Sequence, residues 1–267
     1  MNLNYVLLDP TGNRTILVET PVDPAAQPAY GAALLAAEPT AEQVGFLSPG
    51  DGDCRLALRM AGGEFCGNAA MSAAVLWCES QDLFDTQVRL RVSGAADPVS
   101  VEVCRLPGGD WQGTVTMPPA GTPAQVTLPL GDGSLTLPMV DMGGIRHLIV
   151  TEPLERTRAE AAIRRWCALL EAPALGLMLL DEAAGQLTPL VYVPGGDSLY
   201  WERSCASGSA AVGCFLAWRQ AAPVRVQLVQ PGGALAVSAT PEGHASLRGR
   251  VRILRRGSFS DQIPHNL

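Results

Sequence analysis

The hydrophobic pattern predicts the same short series of strands twice along the chain. Alternating apolar and polar positions, rich in β-branched residues, predict strands at 4–8 and 15–19, and again at 137–141 and 148–150. In each half the first strand of the pair is followed by a turn before the second begins. The repetition suggests two related supersecondary units.

Helices follow these strands in both halves. Helical periodicity predicts helices at about 25–37 and 158–170. A second helix, rich in Ala, Ser and Gly, is predicted to start directly after Cys66 in one half and after Cys205 in the other. Two or three strands end each half, so the residue pattern predicts an α/β or α+β fold with a large share of strand.

Four stretches of sequence recur in the same order. The pairs are GNRTILVE (12–19) with GIRHLIVT (144–151), VGFL (44–47) with GLMLL (176–180), FCGNAAMSAAVLW (65–77) with SCASGSAAVGCFLAW (204–218), and VRLRVSGAADPVSVEV (88–103) with VRVQLVQPGGALAVSAT (224–240). Their offsets drift only from about 131 to 139 residues. An ordered set of this kind predicts two similar halves.

The repeat also predicts where the chain divides. The expected divisions are 1–120 with Cys66, 130–255 with Cys205, and a C-terminal tail at 256–267. Gly, Pro and Thr dominate 120–133, directly after Pro118-Pro119, and this stretch is expected to be the linker. We expect the two halves to face each other across a cleft, where small-molecule sites usually lie.

Composition and charge narrow the class of partner. The chain has 267 residues, of which 47% are hydrophobic, enough for a large core. A net charge of −7 argues against nucleic acid or an anionic membrane as a partner. The N-terminus lacks the pattern of a signal peptide, and no apolar stretch approaches the roughly 18 residues of a membrane span. We therefore expect a cytoplasmic protein that acts on a small molecule.

The sequence contains no lysine, and all 19 of its basic residues are arginine. A pyridoxal-phosphate enzyme needs a lysine for its Schiff base, and a Walker-type loop needs one for phosphate. Both classes are excluded by composition alone.

Seven cysteines are present, an odd number that points to reduced thiols in a chain without a signal peptide. No two are spaced as CxxC, and the three histidines lie far apart, so we expect no metal site. Five of the cysteines are expected to be small buried hydrophobes. The two that recur in the repeat, Cys66 and Cys205, are the candidates for chemistry.

Each of these two cysteines precedes the first turn of a helix of small residues. The N–H groups of such a turn lack partners within the helix and carry partial positive charge, which favours a thiolate and can bind a carboxylate. Inversion at an amino acid Cα needs a base on one face, an acid on the other, and donors for the carboxylate into which charge flows. Two such cysteines supply all three, so we expect a cofactor-independent racemase or epimerase.

The same stretches resemble a known family. They are DPTGNRTILVE, EQVGFL, GEFCGNAAMS, LVYVP, LYWERSCASGSAAVG and QPGG. The chain resembles the two-cysteine racemases and epimerases of the diaminopimelate epimerase fold, and within them most closely the histidine racemases that supply D-histidine to staphylopine-type opine metallophores. The resemblance implies an α+β fold of two pseudo-symmetric domains, each a β-barrel-like sheet around a central helix. It also implies Cys66 and Cys205 as the acid–base pair, no cofactor or metal, and a homodimer.

Further site residues follow from the resemblance. Asn13 matches a substrate-binding asparagine, and Glu42 and Glu202 could accept from the α-ammonium group. His147, at the position matching Thr15, is a candidate for substrate contact. The loops expected to hold the α-carboxylate comprise Gly67, Asn68, Ala206, Ser207, Gly208 and Ser209.

The substrate is inferred from departures within the resemblance. No arginine closely follows Gly67-Asn68, where this chain has Met71, and Glu202-Arg203 is separated from Cys205 by Ser204 alone, so the signals for a second, distal carboxylate are missing. This favours interconversion of L- and D-histidine. Diaminopimelate or another amino acid stays open as an alternative substrate, and a thiol redox or sensor protein using the same two cysteines is the alternative from another class.

Overall fold

In the computed structural model, which describes residues 1–260, the chain divides into two units. Unit 1 comprises Met1–Val115 together with the stretch that starts at Arg250, and unit 2 comprises Thr116–Gly249. The strands are β1 (Asn2–Pro10), β2 (Thr15–Val18), β3 (Gln43–Pro49), β4 (Leu56–Met60), β5 (Asp85–Val92), β6 (Val99–Arg105), β7 (Trp111–Thr116), β8 (Ala124–Leu130), β9 (Gly133–Asp141), β10 (Arg146–Val150), β11 (Leu175–Asp181), β12 (Gln186–Val193), β13 (Ser198–Trp201), β14 (Val224–Gln230), β15 (Gly233–Ala239) and β16 (Ala245–Ser260). The helices are α1 (Gln27–Ala37), α2 (Gly67–Ser80), α3 (Arg156–Leu169) and α4 (Ala206–Gln220), with a 3₁₀ turn at Pro194–Gly196.

The sheet of unit 1 closes on itself. Its strands follow the order β1-β2-β3-β4-β5-β6-β7-β16, and β16 also pairs antiparallel with β1, from Asn2 opposite Ser260 to Pro10 opposite Val251. The result is an eight-stranded barrel without a free edge along this order.

Unit 2 uses the same strand arrangement. Its order is β8-β9-β10-β11-β12-β14-β15-β16. In both units an antiparallel pair, β1 with β2 or β9 with β10, is followed by a parallel pair, β2 with β3 or β10 with β11. The predicted repeat of elements and the α+β fold of barrel-like halves are therefore both present.

Each unit has one helix packed on the outside of its sheet. In unit 2, Leu148 and Val150 of β10 pack with Ile163 and Trp166 of α3. Because side chains alternate along a strand, the residues between them point to the opposite side. In unit 1, Ile16 belongs to the cluster that packs against α1, and the neighbouring Thr15 does not.

The helices that follow the two candidate cysteines are buried nearly all round. Eleven of the fourteen residues of α2 and eleven of the fifteen of α4 are buried, which is typical of a helix surrounded by other elements. Small residues permit this close approach: a Cβ on Gly113 of β7 would lie 2.9 Å from the Met71 side chain of α2. The composition of these helices thus reflects packing as well as chemistry.

Two sequence-based boundaries were wrong. The predicted linker contains a strand, β8, because Val126, Leu128 and Leu130 alternate and pack against the unit 2 core. Pro129 is tolerated there because β8 ends the strand order. The predicted tail begins inside β16, whose residues 256–260 pair with β1, and 261–267 lie outside the described residues. No helix within 1–260 is long and apolar enough to cross a membrane.

Candidate active site

Both candidate cysteines are the N-cap residues of buried helices. Cys66 precedes α2 in an extended conformation (φ −134°, ψ 111°), and its Sγ accepts a hydrogen bond from Ala69 N at 3.4 Å. Cys205 precedes α4 in nearly the same conformation (φ −114°, ψ 109°), and its Sγ accepts from Gly208 N, also at 3.4 Å. A thiol in the place of the usual Ser or Asp cap is held against helix N–H groups that stabilise negative charge on sulfur.

In unit 1 the Cys66 thiol contacts the side chain of Gln43. Cys66 Sγ donates to Gln43 Oε1 at 3.2 Å. Gln43 Nε2 in turn donates to Thr15 Oγ1 at 2.9 Å and to Asn13 Oδ1. Thr15 and Gln43 are direct partners in the parallel pairing of β2 with β3, so the register of two strands brings this amide to the cysteine.

The orientation of the Gln43 amide is fixed by groups that can only accept. Asn13 Nδ2 donates to Glu42 Oε2 at 2.9 Å, which turns Asn13 Oδ1 towards Gln43. Thr15 Oγ1 donates to the backbone oxygen of Asn13 at 3.1 Å, so the hydroxyl oxygen is left to accept from Gln43. Both requirements direct Gln43 Nε2 away from Cys66 and its Oε1 towards the thiol.

In unit 2 the Cys205 thiol contacts a hydroxyl that is paired with a histidine. Cys205 Sγ lies 3.6 Å from Ser207 Oγ, and Ser207 Oγ lies 3.0 Å from His147 Nε2. If the Ser207 hydroxyl donates to sulfur, it must accept from His147, which requires the Nε2–H tautomer of the imidazole. The three side chains come from α4 and from the adjoining β10.

His147 is held neutral. It is fully buried, and burial lowers the pKa of the imidazole to about 3, although the charge of Asp141 acts in the opposite direction. Among the residues described, its Nδ1 has no hydrogen-bond partner. Nδ1 faces Gly176, the direct partner of His147 in the pairing of β10 with β11, where any Cβ would collide with the ring. The glycine therefore makes the room that the imidazole occupies.

The Cys205 thiol is protonated at neutral pH. Burial raises the pKa of Cys205 well above its usual 9.0, and the Glu202 carboxylate raises it further through its charge and by accepting a hydrogen bond from the thiol. The Gly208 N–H and the Ser207 hydroxyl act in the opposite direction, since both stabilise the thiolate. Cys205 is thus a proton donor whose thiolate, once formed, has two donors ready.

A glutamine that the sequence analysis did not select holds the backbone at Cys205. Cys205 N donates to Gln230 Oε1 at 2.8 Å, and Gln230 Nε2 donates to Ser209 Oγ at 3.0 Å. Ser209 Oγ donates to the backbone oxygen of Cys205 at 2.6 Å. The Ser209 hydroxyl is therefore engaged within the helix start, and Gln230 closes the loop around the N-cap.

The other five cysteines lie away from these two cap positions. Cys54, Cys78, Cys167 and Cys214 are buried and Cys104 is half-buried. Burial raises the pKa of both Cys78 and Cys214 to about 11, which leaves them inert thiols. Within the described part of the chain, no three His, Cys, Asp or Glu side chains group as metal ligands.

The predicted site residues gather around the two caps, each within its own unit. Asn13 and Glu42 join the network at Cys66, and Glu202, Ser207 and His147 join that at Cys205. The remaining candidates, all buried or nearly so, form the first turns of α2 and α4: Gly67, Asn68, Ala206 and Gly208. Gln43, Thr15 and Gln230 were missed as site residues, although Gln43 stands in the EQVGFL stretch and Gln230 in QPGG.

Comparisons with solved structures identify the fold. A probable proline racemase from Agrobacterium radiobacter superposes with a TM-score of 0.73 at 15% identity, over 99% of this chain and 94% of that one. A phenazine biosynthesis protein of the PhzF family from Enterococcus faecalis gives 0.67 at 13% identity, over 97% and 100%. These similarities show the fold, in which each of the two cysteines caps a buried helix.

Sequence comparisons are more specific. The histidine racemase CntK N-terminal domain matches residues 2–259. A histidine racemase from Staphylococcus aureus is 34% identical over 245 residues, 88% of each chain, and one from Fusobacterium nucleatum is 29% identical over 241 residues, 86% of this chain and 87% of that one. The chain belongs to the histidine racemase CntK family. It is an isomerase that racemises an amino acid.

Proposed function

We propose that this enzyme interconverts L- and D-histidine, with Cys66 and Cys205 as its acid–base pair. The observation that carries the proposal is the thiol N-cap that recurs at matching positions of α2 and α4. The assignment of histidine as the substrate is based on the relatives, which are named histidine racemases.

The proton balance follows from two thiols in opposite states. The Cys66 thiol, which donates to Gln43 Oε1 in the structure, first releases its proton to solvent. In one direction the resulting thiolate removes the α-proton, and the Cys205 thiol, protonated because of burial and Glu202, donates a proton to the other face. The products are the inverted amino acid, a Cys66 thiol and a Cys205 thiolate. The reverse reaction starts from that state, so the enzyme as a whole gains and loses no proton.

The first turns of α2 and α4 supply donors for the substrate carboxylate. Removing the α-proton pushes charge into that carboxylate, and backbone N–H groups aimed at it lower the cost. Gly67 and Asn68 follow one cysteine, and Ala206 and Ser207 follow the other. We assign these residues to carboxylate binding, with the small side chains allowing close approach of the backbone.

The two glutamates have different proposed roles. Glu42 accepts from Asn13 and so orients the Asn13 and Gln43 amides, and its charge favours the α-ammonium group. Glu202 accepts from the Cys205 thiol and controls when that proton is released. His147 stays neutral at physiological pH and acts through Ser207 rather than as an acid or base.

The experiment is chiral chromatography of L-histidine and of diaminopimelate after separate incubations with the enzyme, with and without added pyridoxal phosphate or chelator. We expect D-histidine to form until the two enantiomers are equal, at a rate that neither addition changes, and diaminopimelate to react poorly. A distal carboxylate without a charged partner would be expensive to bury. Rapid turnover of diaminopimelate without D-histidine would refute the substrate assignment.

The cellular setting is also a proposal. The resemblance of this chain to racemases that supply D-histidine for opine metallophores favours that role, with a cytoplasmic homodimer as the working form. Deleting the gene should abolish such a metallophore, and added D-histidine should restore it. Size-exclusion chromatography with light scattering tests the dimer.

A further inference from the structure

The strand that precedes Cys205 is an addition to unit 2. β4 and β12 occupy matching places, since each pairs antiparallel with the strand before it and parallel with the strand after the buried helix. The chain passes from the end of β4 at Met60 to Cys66 through a turn. After β12 it instead forms β13, which pairs with β12 and has no counterpart in the described part of unit 1.

At the end of β13, neighbouring side chains point to opposite sides of the strand: one packs on the core and the next reaches Cys205. Trp201 pairs with Leu190, and the ladder continues as Glu202 N donates to Pro189 O at 3.0 Å. Trp201 packs against the core cluster beneath α3. Glu202, the next residue, points to the opposite side, where its carboxylate accepts from the Cys205 thiol.

Two side chains of α3, one helical turn apart, hold the indole of Trp201. Its Nε1 donates to Glu160 Oε1 at 2.6 Å, and the guanidinium of Arg156 lies 4.2 Å from the ring centroid. The short bond to a carboxylate and the close cation–π contact fix both the plane and the rotation of the ring. We call Arg156, Glu160 and Trp201 the indole clasp.

We infer that the indole clasp sets the position of β13 and thereby holds the Glu202 carboxylate against Cys205 Sγ. Glu160 and Trp201 are then positioning residues, which act through Glu202 without touching the substrate. The inference rests on the proposed function, in which Cys205 is one of the two acid–base groups.

The surroundings of Cys205 within unit 2 leave Glu202 as the charged group that contacts the thiol. His147, from β10, is neutral and reaches the thiol only through Ser207. Gln230, at the end of β14, is uncharged and bonds the Cys205 backbone. A change in the placement of Glu202 therefore changes the thiolate fraction of Cys205 directly.

The test is the rate at which iodoacetamide alkylates Cys205, followed by peptide mass spectrometry at a fixed pH below the pKa of the thiol. Only the thiolate reacts, and each unit by which the pKa falls raises its fraction about tenfold. Glu202→Gln removes the negative charge and should raise the rate about tenfold. Trp201→Phe, which keeps a ring but loses the N–H, and Glu160→Ala should move the rate in the same direction.

Three further variants separate positioning from general loosening. Glu160→Gln keeps an acceptor for the indole and should retain the wild-type rate. Asp197→Ala removes the contacts of Asp197 with Arg164 and Tyr192 at the far end of the β12–β13 hairpin, so the Cys205 rate and racemase activity should both be retained. The double variant Trp201→Phe/Glu202→Gln should react no faster than Glu202→Gln alone, because the clasp acts through the carboxylate.

Two outcomes would overturn the inference. One is an unchanged rate in Trp201→Phe or in Glu202→Gln. The other is an equal acceleration by Trp201→Phe in the wild-type and Glu202→Gln backgrounds, which would mean that the variant merely exposes the thiol. Alkylation is measured without turnover, so these outcomes are independent of whether the enzyme racemises histidine.

Discussion

Cys66 and Cys205 each lie beside a parallel pair of strands, β2 with β3 and β10 with β11. The two units differ in which strand of the pair carries the long polar side chain. In unit 1 the small Thr15 on β2 pairs with the long Gln43 on β3. In unit 2 the order is reversed, with His147 on β10 opposite Gly176 on β11. In each unit a long polar side chain fills the space beside the cysteine cap. It comes from β3 in unit 1 and from β10 in unit 2.

The two thiols therefore have different partners. Cys66 meets the Gln43 oxygen, which can only accept, whereas Cys205 meets the Ser207 hydroxyl, which can donate, and a carboxylate that β13 brings. A racemase needs a base and an acid at the same moment. The two units therefore share the backbone arrangement that places a thiol at a helix N-cap, and differ in the side chains that bond this thiol and shift its protonation.

The largest expected effect tests whether the two caps share one function. Cys66→Ser and Cys205→Ser should each lower kcat by about a hundredfold to ten-thousandfold, because each turnover needs both an acid and a base. Cys104→Ser, at a half-buried cysteine on β6, is the matched control and should keep its activity. Near-wild-type racemisation by either cap variant would end the two-thiol mechanism.

The next effect tests the neutral histidine of unit 2. Burial lowers the pKa of His147 to about 3, so the unfolded chain binds a proton at this residue between about pH 6.5 and 3 that the folded protein does not. Its contribution to stability is therefore present above pH 6.5 and lost as the pH falls, with a slope of up to about 1.4 kcal/mol per pH unit.

Denaturant unfolding at several pH values measures this slope. His147→Gln should flatten the dependence of the unfolding free energy on pH in that range. His244→Gln, at an exposed histidine, should leave it unchanged. Parallel curves for His147→Gln and wild type would show that the imidazole is not held neutral.

A third prediction tests the packing of the His147 ring against Gly176. Gly176→Ala should destabilise the protein by about 1 to 3 kcal/mol, because the added Cβ would collide with the His147 ring in a packed interior. Gly144→Ala is the control, since a Cβ there meets nothing within 4 Å. The double variant Gly176→Ala/His147→Ala should recover part of the loss in thermal melting. Equal melting temperatures for Gly176→Ala and Gly144→Ala would contradict the claim that Gly176 makes room for the His147 ring.

The smallest effect concerns the counterpart in unit 1. Gln43→Met keeps the length of the side chain but removes the amide that bonds Thr15, Asn13 and Cys66, at a cost of about 1 to 2 kcal/mol in unfolding free energy. Gln125→Met, at an exposed position of β8, controls for the substitution itself. A loss of unfolding free energy no larger than that of the control would mean that the Gln43 amide network contributes little to stability.

The repeat in the sequence predicted two similar halves and both cysteine caps, because periodicity and local composition express these directly. The barrel-like form of each half was implied by the family resemblance. The repeat did not predict β8, since Gly and Pro mask the alternation of Val126, Leu128 and Leu130. It also did not predict that 256–260 would pair with β1, which depends on residues about 250 positions away.

The side chains around the caps were harder to predict for the same reason. Gln43 reaches Cys66 only because of the register between β2 and β3, and Gln230 reaches Cys205 from the end of β14. The matching of His147 with Thr15 was visible in the repeat, but its meaning depends on Gly176. Strand register and the packing of one side chain into the space left by another are not written in local patterns.

The last described strand has a consequence for how the chain is made. The barrel of unit 1 needs the second part of β16 beside β1, and those residues leave the ribosome after all of unit 2. Synthesis proceeds at about 5 to 20 residues per second, so the first cysteine-bearing half waits several seconds or more for its closing strand. Unit 2 can therefore complete its fold first, and one edge of β1 stays unpaired until the second part of β16 has been made.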